Sequence, residues 1–326
     1  MATIKEVAMT AGVSVATVSR VLNQNGYVHE DTRRKVDEAI AKLNYTPNEV
    51  ARSLFKRKSK LIGLLLPDIT NPYFPQLARG VEDEMQENDY RLIFGNSDER
   101  RQKEMDYIQT FVQNNVVGVI SSTNDPDTDI YTGLKIPMVF LDRTSSGQPS
   151  VYADGREGGK IAARELVKRG SKRITVLQGP THVQPAIDRY EGAIEILEEQ
   201  DVHYNVLETT SFSLTDAEVW AKDLFGKYPD TDGIIASNDI VASAVLQEAH
   251  RLGKRVPEEV QIIGFDNIPL SKLLAPSLST VHQPAYEMGR AAAQLLIQLI
   301  EGQYTEQQHM KFPVKFIERE TTRKVD

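Results

Sequence analysis

From residue 60 onward, short apolar runs alternate with amphipathic stretches, and this alternation restricts the possible fold more than any other feature of the chain. The runs are LIGLLLPD (61–68), RLIFGN (91–96), GVISS (118–122), PMVFLD (137–142), RITVLQ (173–178), GIIAS (233–237) and QIIGFD (261–266). Helical periodicity falls between them at 76–88, 101–113, 157–168, 186–199, 215–225 and 240–252. Strands that are apolar along their whole length suit a sheet covered on both faces, and a strand–helix–strand order builds parallel sheets. The stretch is longer than one doubly wound sheet usually needs, which predicts two α/β lobes with a cleft between them. No repeat of solenoid period and no low-complexity segment suggests another architecture.

The first 45 residues read differently. Thr3 and Glu6 form a T-x-x-E capping box, and Ile4, Val7, Ala8 and Ala11 share one helical face before Gly12 stops the helix. Ser14 then caps a second helix, Val15 to Leu22, with Val18 and Val21 or Leu22 turned inward. A third helix is expected from about Glu30 to Leu43, with Val36, Ile40 and Leu43 facing the pair. Helix, glycine turn, helix is the pattern of a helix-turn-helix. The next segment, TPNEVARSLFKRKSK, starts with a cap at Thr46, Pro47 and Glu49 and encodes a short helix over about 47–56 with almost no apolar face. Such a helix folds only against a partner, and Arg52, Lys56, Arg57, Lys58 and Lys60 point to DNA as that partner.

Charge sorts along the chain in the same way. Residues 1–60 carry 11 Lys/Arg against 6 Asp/Glu, and the remainder carries 27 against 40. A basic front end on an acidic body can sit on phosphates while the body is repelled from them. The chain has no cysteine, and its six histidines lack ligand spacing, so neither a metal site nor a cofactor is expected. The start, MATIKEVAM, has no secretory pattern, and no apolar run approaches a membrane span, so a cytoplasmic protein without membrane contact is expected.

The segments ATIKEVAMTAGVSVATVSRVLN and YTPNEVARSL closely resemble the headpiece and hinge helix of the lactose and galactose repressor family. The likeness extends over essentially the whole chain. It implies an all-α helix-turn-helix headpiece (1–45), a hinge helix and linker (46–59), and a two-lobed α/β effector domain (60–326) similar in fold to periplasmic sugar-binding proteins. It also implies a homodimer on pseudo-palindromic operator DNA. Val15, Ala16 and Arg20 match positions that reach base edges in the major groove, and Arg20 is suited to a bidentate contact with guanine. Ser14, Thr17, Ser19 and Asn23 suit phosphate contacts. In the hinge, Asn48, Ala51 and Arg52 accompany Leu54, which matches a leucine wedged into the minor groove. No heptad segment appears after Arg323, so a dimer is expected rather than a tetramer.

Ligands of open α/β sheets bind at the carboxyl ends of the strands. The polar residues at those ends are Asp68 and the following ITNPYF, Asp142 and Arg143, Asn238 and Asp239, and Asp266, joined by Arg189 in a helix, Phe212 in a loop and Gln283 in the VHQP crossover. Taken singly, Asn71 could be a turn residue, Asn238 and Asp239 a helix cap, Asp266 a loop residue and Arg189 a surface ion-pair partner. Together they look like a sugar site, because planar polar groups bridge adjacent hydroxyls while aromatic rings cover the apolar ring face. The resemblance to ribose-binding proteins implies that Asn71, Phe74, Asp142, Arg143, Arg189, Phe212, Asn238, Asp266 and Gln283 line the pocket and that ribose is the effector. Tyr73 joins this set, although phenylalanine is expected at its position. Asp239 either supports the site or touches the ligand. Another pentose, a disaccharide or a nucleobase stays open as effector, as does a corepressor logic. The two arginines are expected to keep the two aspartates ionised, which argues against an acid catalyst and therefore against a glycosidase.

Overall fold

The computed structural model describes residues 2–23, 25–45, 59–122, 131, 133–143, 148–303 and 308–325. They fall into two compact units, one ending at Ser59 and the other beginning at Lys60.

Among its described residues the first unit contains three helices, α1 (Ile4–Ala11), α2 (Val15–Asn23) and α3 (Glu30–Leu43). The capping box forms as the sequence predicts: Thr3 accepts from Glu6 N, and the Glu6 carboxylate accepts from Thr3 N at 2.7 Å. Gly12 ends α1 at φ 65°, a left-handed conformation that costs glycine little. Ser14 Oγ accepts from Thr17 N at 3.1 Å and starts α2. Val7, Ala8, Ala11, Val18, Val21, Val36 and Ala39 form the core, with Ile40 and Leu43 packed against it. Ala39 is a core residue that the periodicity alone did not single out.

The second unit has two sheets of six strands each. In the first lobe β1 (Leu61–Leu66), β2 (Arg91–Asn96), β3 (Gly118–Ser121), β4 (Met138–Leu141), β5 (Ser150–Ala153) and β11 (His309–Phe312) lie in the order β11-β5-β4-β3-β1-β2. In the second, β6 (Arg173–Gln178), β7 (His203–Glu208), β8 (Gly233–Ile235), β9 (Gln261–Asp266), β10 (Ser279–His282) and β12 (Lys315–Ile317) lie in the order β12-β10-β9-β8-β6-β7. The orders correspond strand for strand. All pairings are parallel except that of β10 with β12. The helices are α4 (Tyr73–Glu87), α5 (Arg101–Gln113), α6 (Gly155–Lys168), α7 (Gln184–Glu199), α8 (Leu214–Lys227), α9 (Asp239–Arg251) and α10 (Ala285–Ile300). A 3-10 turn spans Pro269–Lys272.

Each lobe has one helix pair in which backbones meet at glycines. In the first, α4 lies on α10, and a Cβ on Gly80 would collide with the Tyr286 carbonyl while one on Gly289 would collide with that of Leu77. In the second, α6 lies on α7, where Gly159 meets the Arg189 carbonyl and Gly192 that of Arg156. These approaches fix where α4 and α7 begin, and both helix starts face the cleft. The chain passes between lobes after β5, after β10 and between β11 and β12. Among the described residues, no helix is long and apolar enough to cross a membrane, and no cluster of three acidic or histidine side chains could hold a metal.

Candidate functional site

A cavity, partly open to solvent, lies between the lobes. Asn71, Tyr73, Phe74, Asp142 and Arg143 line it from the first lobe. From the second come Val183, Pro185, Arg189, Phe212, Asn238 and Asp266. Nine of the ten cleft residues expected from sequence therefore surround one space. The tenth, Gln283, is buried behind it and donates through Nε2 to Asp266 Oδ1 at 2.7 Å. Sequence reasoning missed Val183 and Pro185. They open α7, and a strand-end rule that searches for polar residues passes over apolar side chains at a helix start.

Both asparagines make the structural contacts that the ordinary reading gives them. Asn71 Oδ1 accepts from Tyr73 N at 3.1 Å, a turn contact that leads into α4. Asn238 Oδ1 accepts from Val241 N at 2.8 Å and caps α9, while its Nδ2 is buried without a partner. In both, the oxygen builds the fold, and in Asn238 the amide N–H groups are left over.

The carboxylates occupy corresponding places, Asp142 just past β4 and Asp266 at the end of β9. Both have left-handed backbones, with φ of 69° and 105°. Non-glycine residues adopt such conformations at a cost of roughly 1–3 kcal/mol and keep them where surrounding contacts impose them. Asp142 Oδ1 accepts from the Tyr73 hydroxyl at 2.7 Å, and its Oδ2 lies 3.4 Å from Arg143 Nε. The tyrosine that departs from the expected phenylalanine thus brings its own donor. Burial, reinforced by the fields of Asp142 and Asp266, holds its phenol well above the ordinary range, so it stays protonated.

Asp266 differs from the expectation that its arginine would keep it ionised. Burial pushes its carboxyl up to about 8, and the nearby charges of Asp239 and Asp142 add to the rise. Arg189 opposes the shift, but its Nη2 stands 3.5 Å from Asp266 Oδ1, while its Nη1 donates to the Ser237 carbonyl at 2.8 Å. The guanidinium lies 3.9 Å above the Phe265 ring, so it is anchored from two sides and shared. Desolvation outweighs a distant, divided cation.

Among the described residues, four buried atoms of the cavity lining, Arg143 Nε and Nη1, Arg189 Nε and Asn238 Nδ2, have no hydrogen-bond partner, as is also true of Ser237 Oγ and Arg169 Nε outside the lining. Most buried polar atoms are paired, and so many unpaired donors around one cavity mark a place for an oxygen-rich ligand. Phe74 and Phe212 provide the apolar part of the same lining.

In the headpiece, Ser14, Val15, Ala16 and Arg20 are exposed, and Thr17 and Ser19 are half-buried. Asn48, Ala51, Arg52 and Leu54, and the side chain of Asn23, lie outside the described residues.

A helix-turn-helix unit joined to a two-lobed parallel-sheet body with a polar cleft defines a ligand-responsive DNA-binding regulator. Residues 3–48 match the bacterial regulatory proteins of the lacI family, and residues 163–322 match the periplasmic binding protein-like domain. The chain belongs to the lacI family of bacterial regulatory proteins. It is 61% identical to the ribose operon repressor of Bacillus subtilis (strain 168) over 326 residues, which is 100% of each chain. The crystal structure of the lac repressor dimer bound to operator and the anti-inducer ONPF superposes with a TM-score of 0.89 at 25% identity, covering 98% of both chains. A LacI family transcriptional regulator from Enterococcus faecium with bound ribose is similar over 82% of this chain and 100% of its own, with a TM-score of 0.74 at 29% identity.

Proposed function

We propose that this chain is a cytoplasmic repressor of a sugar-utilisation operon, released from its operator when ribose binds in the cleft. The observation that carries the reading is the convergence of Asp142 and Arg143 from one lobe with Arg189, Asn238 and Asp266 from the other, around a cavity flanked by Phe74 and Phe212. Carboxylates accept from sugar hydroxyls, the unpaired N–H groups donate to them, and the rings cover the apolar sugar face. The 61% identity to a ribose operon repressor supports ribose over other sugars. A binding role fits the cleft better than catalysis: the relatives that match over the full chain are repressors, and both carboxylates are engaged by protein donors.

On this reading residues 1–45 form the headpiece, 46–59 the hinge and 60–326 the effector and dimerisation domain. Val15, Ala16 and Arg20 meet base edges, with Ser14, Thr17, Ser19 and Asn23 on phosphates. Asn48, Ala51 and Arg52 of the hinge contact the DNA, and Leu54 wedges into the minor groove. Two headpieces of a homodimer then read the half-sites of a pseudo-palindromic operator. Ribose touches both lobes and stabilises their closed arrangement by no more than its difference in affinity for the two states, typically about 1–3 kcal/mol of coupling.

Calorimetric titration with ribose, other pentoses, disaccharides and purine bases, paired with operator binding at fixed salt, tests the reading. Ribose is expected to bind and weaken operator affinity. Silence to ribose removes the effector assignment, and tighter operator binding with ribose reverses the logic to corepression. Replacing Arg20 by Ala should cost roughly 1–3 kcal/mol on the operator and relax selectivity at one base pair per half-site. Equal weakening on every DNA sequence would show a phosphate contact instead.

A further inference from the structure

Asp239 opens α9 and is fully buried, yet it does not line the cavity. Its carboxylate collects three donors from two separate stretches. Oδ1 accepts from Thr280 Oγ1 on β10 at 2.6 Å. Oδ2 accepts from Ser271 Oγ in the 3-10 turn at 2.5 Å and from the Ile268 backbone N–H at 2.8 Å. A Cβ on Gly264 would collide with Oδ1, so glycine at that point of β9 makes room for the carboxylate.

What these bonds hold is the turn that follows β9. Asp266 and Asn267 are consecutive left-handed residues, with φ of 105° and 60°, and such a pair does not persist without outside support. Arg319 Nη2 donates to Asn267 Oδ1, and Asn267 Nδ2 meets His282 Nδ1 at 3.1 Å. Asp239 fastens the next residue, Ile268. That side chain is completely buried and belongs, with Ile240, to the apolar cluster that contains Tyr73 and Phe74 of the opposite lobe. One carboxylate thus anchors a turn that presents Asp266 to the cleft and extends an apolar residue toward the other lobe.

We infer that Asp239 is a positioning residue for the ligand response, acting through the 266–268 turn without touching the ligand. The inference rests on the ribose reading above for its functional consequence and on the hydrogen bonds alone for its structural one. In full-length Asp239→Ala, calorimetry should find ribose affinity at least tenfold weaker, with sugar-free operator affinity within twofold of the wild type. Asp239→Asn should recover ribose binding to within about threefold, because its oxygen can still accept from Ile268 and Ser271 while its amide donates to the Thr280 hydroxyl. Unchanged ribose affinity in Asp239→Ala overturns the inference. So does a parallel loss of operator binding, which would mark a residue needed for the whole fold. Should Asp239→Ala not fold, Ser271→Ala combined with Thr280→Val removes two of the three donors and is read by the same criteria. If the wild type binds no ribose, the effector reading fails separately. A crystal structure of the ligand-free variant then decides: a displaced 266–268 turn supports the role, and an unmoved one overturns it.

Discussion

The two lobes share a strand order, and each carries a cleft aspartate at the corresponding strand end, yet the two carboxylates are held by opposite means. Asp142 meets a tyrosine hydroxyl and an adjacent arginine from its own lobe. Asp266 meets an amide from the crossover and an arginine divided among three partners, with a second buried carboxylate behind it. The same topological slot therefore yields a closed local pair in one lobe and a poised acid in the other. Topology dictates where each cleft carboxylate stands; the side chains around it decide what holds it.

The largest expected effect is at the poised carboxylate. Asp266→Ala should weaken ribose roughly 100-fold, about 3 kcal/mol, because it removes an acceptor, leaves Gln283 Nε2 without its partner and takes away one of the three partners of Arg189. Operator binding without sugar should persist, and its loss would make Asp266 a structural residue. Proton linkage is the next largest effect. If ribose hydroxyls donate to the ionised form, binding must release a proton from a group held up to about 8. Affinity should then rise as pH increases from 6.5 to 8.5, by up to about 25-fold, with heats that depend on the buffer's ionisation enthalpy. A flat profile would show that Asp266 binds sugar as a neutral acid or is already ionised.

The sugar-free protein should show the opposite trend. A carboxyl whose folded pKa lies above its unfolded value binds protons more readily when folded. Its stabilising contribution is therefore complete at about pH 4 and declines as pH rises toward 8, a slope that Asp266→Asn should flatten in urea titrations. The smallest effect belongs to the closed pair. Tyr73→Phe leaves Asp142 Oδ1 without its donor and should lower stability by about 1 kcal/mol, with little change in the pH profile of binding. A large change in that profile would couple the two carboxylates more tightly than their separate partners suggest.

Legibility in the sequence followed burial. Every strand read from an apolar run is present: β1, β3, β4, β6, β8 and β9 are buried along nearly their whole length, and the edge strand β2, though partly exposed, still shows the apolar run Leu92–Phe94. The strands that escaped notice are β5, β10, β11 and β12, each of three or four residues, and β7, the edge strand HYNVLE with its mixed exposure. Helix α10 escaped for the converse reason. Ala285, Met288, Gly289, Ala291–Ala293 and Leu295–Ile297 are buried around most of its circumference, which blurs the polar stripe that periodicity needs. In the cleft, residue types and positions could be read from strand ends. The sharing of Arg189 between Ser237, Asp266 and Phe265 could not, nor could the resulting charge of Asp266, because both depend on distances between segments far apart in sequence.

The passages of the chain between lobes carry a consequence for its making. Helix α10 and strand β11, which complete the first lobe, are among the last segments to be translated, after nearly all of the second lobe. A nascent chain on the ribosome therefore holds five strands of an unfinished first sheet, with the flank of β5 and the seat of α10 uncovered, while the second lobe emerges. Such edges invite mispairing and aggregation. Slow translation through residues 160–280 should thus harm the yield of native protein more than an equal delay in the headpiece, whose three helices close on themselves early.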